Sequence, residues 1–271
     1  MSLDLRNLRR VGATSAVVVA ALQATTAAIA LRSGRRDYAD GVWGPGLAAV
    51  AVTSAVVGNG HRGRRTALAV LTTAWATRLE RLMVGRLRDS EEEDDRYTEF
   101  LEGDPDAKVV AKVFVTQAVA QLVVSAPLQV AAASTLPRGP RRWLLPVGLA
   151  VMAAGAVVEA VADRQKAAFM AEKKAAKERG DEDVPGILDT GLWGVSRHPN
   201  YLGDSIVWDG AYLAAAASAP AGWTVPAPVA MTYFLVYATG AKRTEKKMAD
   251  RDGYREYQER VPFFFPLPRR R

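Results

Sequence analysis

Ser196-Arg197-His198-Pro199-Asn200-Tyr201-Leu202-Gly203-Asp204 packs charged and hydrogen-bonding side chains against the start of an apolar run that continues to residue 219. Such a block belongs where a polar ligand meets a membrane, because the run behind it is long enough to cross about 30 Å of hydrocarbon. Comparable runs of about 20 residues recur near 11–31, 42–60, 66–84, 107–135, 143–162 and 222–241. Together they predict about seven spans. The expected fold is therefore all-α: a polytopic membrane helical bundle without a Rossmann domain. A mean hydropathy of −0.04 over 271 residues conceals this, because the charged 24% of the chain clusters between the runs. Two runs are not clean. Arg78, Glu80 and Arg81 lie in the third, and Glu159 lies in the fifth with Asp163 just beyond it. Ionisable residues at such depth face protein or an interface.

Cysteine is absent, which excludes thiolate nucleophiles, disulfides and Cys-ligated metal. Two histidines, His61 and His198, are too few for a metal cluster, so no metal site is expected. The net charge of +7 concentrates beside apolar runs, where it suits anionic headgroups and a polyanionic ligand better than nucleic acid. Arg6, Arg9 and Arg10 before an Ala/Val run ending Ala28-Ile29-Ala30 look like a signal peptide, but the run exceeds an h-region and reads as a span. The densest basic segments, 164–197 and the tail from Lys242, share one side, which the basic-loop bias makes cytoplasmic. Arg6, Arg9, Arg10, Arg62, Arg64 and Arg65 pull the other way.

Gly58-Asn59-Gly60-His61-Arg62-Gly63, with Glu80 some way on, fits the spacing of a dinucleotide fingerprint. The fingerprint needs a strand before it, and here an Ala-rich run of spanning length precedes it, so the reading is a loop between spans. The connection 163–200 is too long for a turn. Residues 164–174 are strong helix formers, while Gly180 to Gly186 has loop composition. An acidic run, Glu91 to Asp95, precedes Arg96-Tyr97. The last residues, Val261 to Arg271, place apolar side chains before three arginines and suit a membrane surface.

Asp189-Thr190-Gly191-Leu192-Trp193, the block from Ser196 to Asp204, then Trp208 and Gly210, resemble the C-terminal half of the steroid 5-alpha-reductase-like membrane family, in particular its bacterial branch. The resemblance extends upstream through Trp75, Arg78-Leu79, Glu93 to Tyr97, Gln117, Glu159 to Asp163, Gln165 and Phe169. Downstream it takes in Gly240, Glu245-Lys246, Gly253-Tyr254, Tyr257, Pro262 and Pro266. It implies seven helices around an NADPH pocket that opens to the cytoplasm, and reduction of a carbon-carbon double bond conjugated to a carbonyl in a lipidic substrate. The chain then divides into variable N-terminal spans, 1–65, and a reductase-like region, 66–271, whose cofactor-binding half is 143–268, all within one integral membrane domain, 1–271. At two positions this chain departs from the family, which more often has Glu at Asp204 and Arg at Gly194.

The residue types suit that chemistry. Arg197, Lys242 and Arg243 are cations for phosphates, with His198 as a further donor. Asn200 offers donors and an acceptor to a carboxamide or a ribose hydroxyl, and Asp204, four residues on, shares its helical face. Glu159 and Asp163 repeat the spacing. By the resemblance, Glu159, Asp163, Asn200 and Asp204 contact cofactor, as do Tyr201, Glu245, Tyr254 and Tyr257. Tyr97 beside Arg96 is the candidate acid that either polarises the carbonyl or protonates carbon, with Glu93 or Asp94 of the otherwise solvated acidic run turned inward. Isoprenylcysteine carboxyl and phospholipid methyltransferases share a similar Arg-His-Pro-x-Tyr block but tend to carry an adjacent acidic pair in the tail helix. Here the tail reads Arg243-Thr244-Glu245-Lys246, with one Glu. An S-adenosylmethionine-dependent methyltransferase and a non-enzymatic membrane scaffold remain as alternatives.

Overall fold

The computed structural model describes residues 3–90, 92–181, 185–238 and 240–266, and their regular structure is all helical, with no β-strand among them beyond a single bridge between Leu3 and Ser134. The chain forms two compact units, Met1–Leu149 with Ala211–Ala230, and Ala150–Gly210 with Met231–Arg271.

In the first unit, α1 (Leu5–Ser33) starts where the Asp4 carboxylate accepts the Asn7 N–H at 2.9 Å and stops at Gly34, whose φ of 70° few other residues tolerate. It buries Val11, Ser15, Val19, Gln23 and Ala27, one residue per turn. A 3₁₀ turn (Arg36–Val42) leads into α2 (Trp43–Val57). Then α3 (Arg62–Asp89) begins at His61, whose ring nitrogen accepts the Arg64 N–H at 3.1 Å. Short helices α4 (Asp95–Phe100) and α5 (Asp106–Val109) precede a π-turn (Val110–Val115), α6 (Thr116–Val124) and α7 (Ala126–Ala132). Two glutamines position the 3₁₀ turn. Gln117 donates to Ala39 O at 2.8 Å, and Gln121 donates to Val42 O at 2.8 Å and Trp43 O at 2.9 Å while accepting from Gln23 at 3.0 Å. Carbonyls that a span would otherwise leave orphaned are thus satisfied by side chains. Arg64, fully buried, caps the end of α7 through Ala131 O at 2.6 Å and Ser134 O at 2.7 Å, and also donates to Ser218 Oγ.

The long helix α8 (Leu144–Arg179) begins in the first unit and continues through the second, and α9 (Pro199–Ala216) returns. Then follow α10 (Pro226–Tyr233), a π-turn (Phe234–Ala238), α11 (Ala241–Met248) and α12 (Tyr254–Arg260). The 36 residues of α8 span about 54 Å. That is nearly twice the roughly 30 Å of hydrocarbon, so its Lys-rich end leaves the membrane. The span expected at 143–162 and the helix formers of 164–174 are one continuous helix.

Among the described residues four segments are long and apolar enough to cross a membrane: Leu5–Ser33, Arg36–Val57, Asp106–Val124 and Pro140–Arg179. Seven were expected. The other three fall short for separate reasons: α3 carries Arg78, Glu80 and Arg81 at its middle, α9 carries Asp204 and Asp209, and α10 with its π-turn is short. The fingerprint-like segment at Gly58 is a connection between α2 and α3, as the sequence suggested. Glu91 and the end of the tail, Leu267 to Arg271, lie outside the described residues, and with them the expected docking of the final arginines on a membrane surface.

In the second unit α8 and α9 cross at two glycines. A Cβ on Gly203 would sit 2.8 Å from both Glu159 Cβ and Gly155 O, and one on Gly155 would sit 2.7 Å from Gly203 O. Small residues let the backbones approach this closely. Gly203→Ala is expected to lower apparent stability by about 1–3 kcal/mol, since a backbone carbonyl cannot step aside. Gly85→Ala, where an added Cβ meets nothing within 4 Å, is the control in detergent thermal unfolding. Equal melting temperatures for the two variants would show that the crossing is not tight.

Candidate functional site

In the second unit the two helices run antiparallel, since Gly155 faces Ile206 and Val207, Glu159 faces Gly203, and Asp163 reaches Asn200. Asn200 Nδ2 donates to Asp163 Oδ1 at 3.3 Å. Glu159 is 3% exposed and Asp204 5%. Asn200 Oδ1 is buried without a hydrogen-bond partner. Four residues expected to contact cofactor, Glu159, Asp163, Asn200 and Asp204, therefore lie along facing sides of one helix crossing. The loop before α9 is pinned to α8, with Trp193 Nε1 donating to Ala162 O at 3.0 Å and Leu192 N to Gln165 Oε1 at 3.0 Å.

Arg197 and His198 turn to the tail. Arg197 grips Glu245 with two bonds, Nε to Oε1 at 2.8 Å and Nη2 to Oε2 at 3.1 Å, and its Nη1 donates to Gln258 O at 3.0 Å and Val261 O at 2.6 Å. His198 Nε2 sits 3.0 Å from Glu245 Oε1, its ring stacked at 5.9 Å on Tyr201 and edge-on to Phe263 at 5.2 Å. Tyr254 OH at 2.9 Å and Gln258 Nε2 at 2.6 Å complete the ring of donors around Glu245. Burial pushes the Glu245 carboxyl up, but the hydrogen bonds from His198, Arg197, Gln258 and Tyr254 together outweigh it and hold the group far below the carboxylate range. Tyr257 donates to Trp193 O at 2.7 Å. Burial raises both tyrosines, and for Tyr254 the Glu245 carboxylate adds to it, so each remains a neutral donor.

This arrangement departs from the roles read in the sequence. Arg197, expected on a phosphate, is engaged by Glu245 and two carbonyls, and Glu245, Tyr254 and Tyr257 hold the tail. The cations at the start of α11 are Lys242, exposed with Nζ 4.5 Å from the Tyr237 ring centre, and Arg243.

The first unit holds a separate ionic cluster around the 3₁₀ turn. Asp40 accepts from Tyr97 OH at 2.6 Å, Arg96 at 2.6 Å and Arg86 at 2.7 Å. Arg96 also bonds Asp94 at 2.9 Å, and its guanidinium lies 5.8 Å from the Tyr97 ring centre. Glu93 accepts from the Arg36 N–H at 2.6 Å and from its guanidinium, and Arg35 pairs with Asp37 at 2.9 Å. Tyr97 is driven far above a free phenol by burial and then by Asp40. Burial opposes the ionised forms of Asp94 and Arg96, yet Asp94 ends below the usual range and Arg96 above it because they face opposite charges. Tyr97 and Arg96 thus meet on Asp40, Glu93 pairs with Arg36 on the same turn, and Asp37, Asp40 and Arg86 join the cluster. The only signal for Asp37 and Asp40 was their place in Arg35-Arg36-Asp37-Tyr38-Ala39-Asp40, a charged hexapeptide between two apolar runs, and Arg86 had none. Among the described residues no group of His, Asp and Glu could hold a metal ion.

Four candidate spans and two buried polar clusters define a multi-pass helical protein of the membrane type. The chain belongs to the family described as Protein of unknown function (DUF1295), whose sequence model matches residues 27–261 and so contains both clusters. An uncharacterized protein of Schizosaccharomyces pombe is 36% identical over 84 residues, 30% of this chain. The match spans only 24% of that relative's length. No solved structure matches.

Proposed function

We propose that the protein is a membrane-embedded, NADPH-dependent reductase of the steroid 5-alpha-reductase-like kind, acting on a carbon-carbon double bond conjugated to a carbonyl in a lipidic substrate. The observation that carries this reading is the α8–α9 crossing. Asn200 is fixed there by Asp163 with its own Oδ1 buried and unpaired, an acceptor for a carboxamide N–H or a ribose hydroxyl, beside the carboxylates of Glu159 and Asp204. The residues fit NADPH on that ground. Asn200, Asp163, Glu159 and Asp204 would hold the ribose and nicotinamide polar groups, and Lys242 and Arg243 the phosphates. The cofactor, when bound, supplies the hydride. Reducing an enone builds negative charge on the carbonyl oxygen, and Tyr97, kept neutral by burial and by Asp40, would serve as its donor by turning its one proton from Asp40 to that oxygen. The basic segments 164–197 and the tail from Lys242 support a cytoplasmic cofactor site and C-terminus.

Thermal unfolding of the detergent-solubilised protein with NADPH, NADH and S-adenosylmethionine tests this. A ligand that binds only the folded state stabilises it by about 2.7 kcal/mol at a hundredfold excess over Kd. NADPH is expected to raise Tm, and Asn200→Ala and Asp204→Ala to abolish the rise while still melting cooperatively. A rise retained in both variants would refute the site. A shift with S-adenosylmethionine alone would mark a methyltransferase, and none with any ligand a scaffold.

A further inference from the structure

Two shallow grooves of about 500 and 530 Å³ run between α2 and α3 in the first unit and join at Thr77 and Arg81, which line both. The lining changes character along its length. At one end Val52 and Val70 are 46% and 60% exposed. From the junction onward Arg81 and then Arg88 are exposed, and neither makes an ion pair among the described residues. Between them Ala74 and Thr77 continue the same exposed face of α3, at helical steps of three and four. Glu80 lines the second groove too, but its Oε1 lies 3.6 Å from where a Cβ on Gly41 would sit, so it points toward the 3₁₀ turn.

From Val70 to Arg81 the helix rises about 16 Å. One leaflet of hydrocarbon is about 15 Å deep. A water-soluble anion would gain nothing from exposed valines, and a neutral lipid would leave both arginines without counter-charge. We propose that the α2–α3 groove binds one anionic phospholipid, its acyl chain along Val52, Val70 and Ala74 and its phosphate on Arg81 and Arg88. This does not rest on the reductase reading.

Native mass spectrometry of the full chain in an uncharged detergent, titrated with phosphatidylglycerol and with phosphatidylcholine of identical acyl chains, tests it. Wild type is expected to retain one phosphatidylglycerol about 30-fold more tightly, which is about 1 kcal/mol for each of two arginines at an anionic headgroup. Arg81→Gln/Arg88→Gln is expected to bring phosphatidylglycerol to the level of phosphatidylcholine. Ala74→Phe, at an exposed position, is expected to fill the groove and weaken both lipids. Equal affinity for the two lipids in wild type overturns the proposal, as does preference unchanged in the double variant or binding unchanged by Ala74→Phe. Inorganic phosphate that displaces the lipid at comparable concentration would reduce the groove to a simple anion site and overturn it as well.

Discussion

Glu245→Ala is expected to free the C-terminal tail from the second unit and to lower apparent stability by about 3–5 kcal/mol, the cost of stranding one partner of a buried pair. Arg197 is 11% exposed and Glu245 14%, so water does not replace the lost partner. The effect exceeds that of an ordinary ion pair because Arg197, His198, Tyr254 and Gln258 all converge on the one carboxylate. Hydrogen exchange is the direct readout, with α12 and residues 261–266 losing protection before α8 does. Glu245→Gln keeps one acceptor and should lose less. The pH dependence has a definite sign. A carboxyl held below its unfolded value of 4.5 contributes its full stabilisation above that pH and loses it progressively below it, completely only once pH has fallen through the depressed folded value at which the docked group itself protonates. The tail should therefore remain docked in mildly acidic buffer at which ordinary carboxylates have already titrated. Release near pH 4.5 would refute the assignment of Glu245 as the anchor.

Tyr97→Phe is expected to cut NADPH-dependent reduction of a lipidic enone by about 10²–10⁴-fold, the usual contribution of a positioned proton donor. The ring still fits its pocket, and the loss of one hydrogen bond costs about 1 kcal/mol of stability, so the folded fraction should hardly change. Asp40→Asn separates the phenol's chemistry from its positioning. Asn can still accept from Tyr97 but no longer balances Arg86 and Arg96, so kcat should fall less than in Tyr97→Phe while the melting temperature falls more. Activity within a few-fold of wild type in Tyr97→Phe would remove Tyr97 from the reaction.

Much of this was legible because it is local. The span within helix α1 follows from an apolar run of the right length near 11–31, and the shared faces of Glu159 with Asp163 and of Asn200 with Asp204 follow from helical spacing. Asp37 and Asp40 were not legible as site residues, because their meaning lies in Arg86, Arg96 and Tyr97, which are distant in sequence. Arg197 looked like a phosphate ligand for the same reason. An unpaired cation and a cation paired with a residue 48 positions on read identically in one dimension.

The sequence by itself determined that this is an all-α, membrane-type chain without cysteine chemistry, and it brought together the side chains of the Ser196 to Asp204 block. Hydropathy and helical period are properties of neighbouring residues, so these needed no fold. Only the tertiary structure decided that Glu245 organises the tail through Arg197 and His198, that Asp40 organises the cluster at Tyr97, and that two glutamines satisfy the carbonyls of a broken span. Each of these is a hydrogen bond between elements far apart in the chain, and its partner is chosen by packing rather than by spacing.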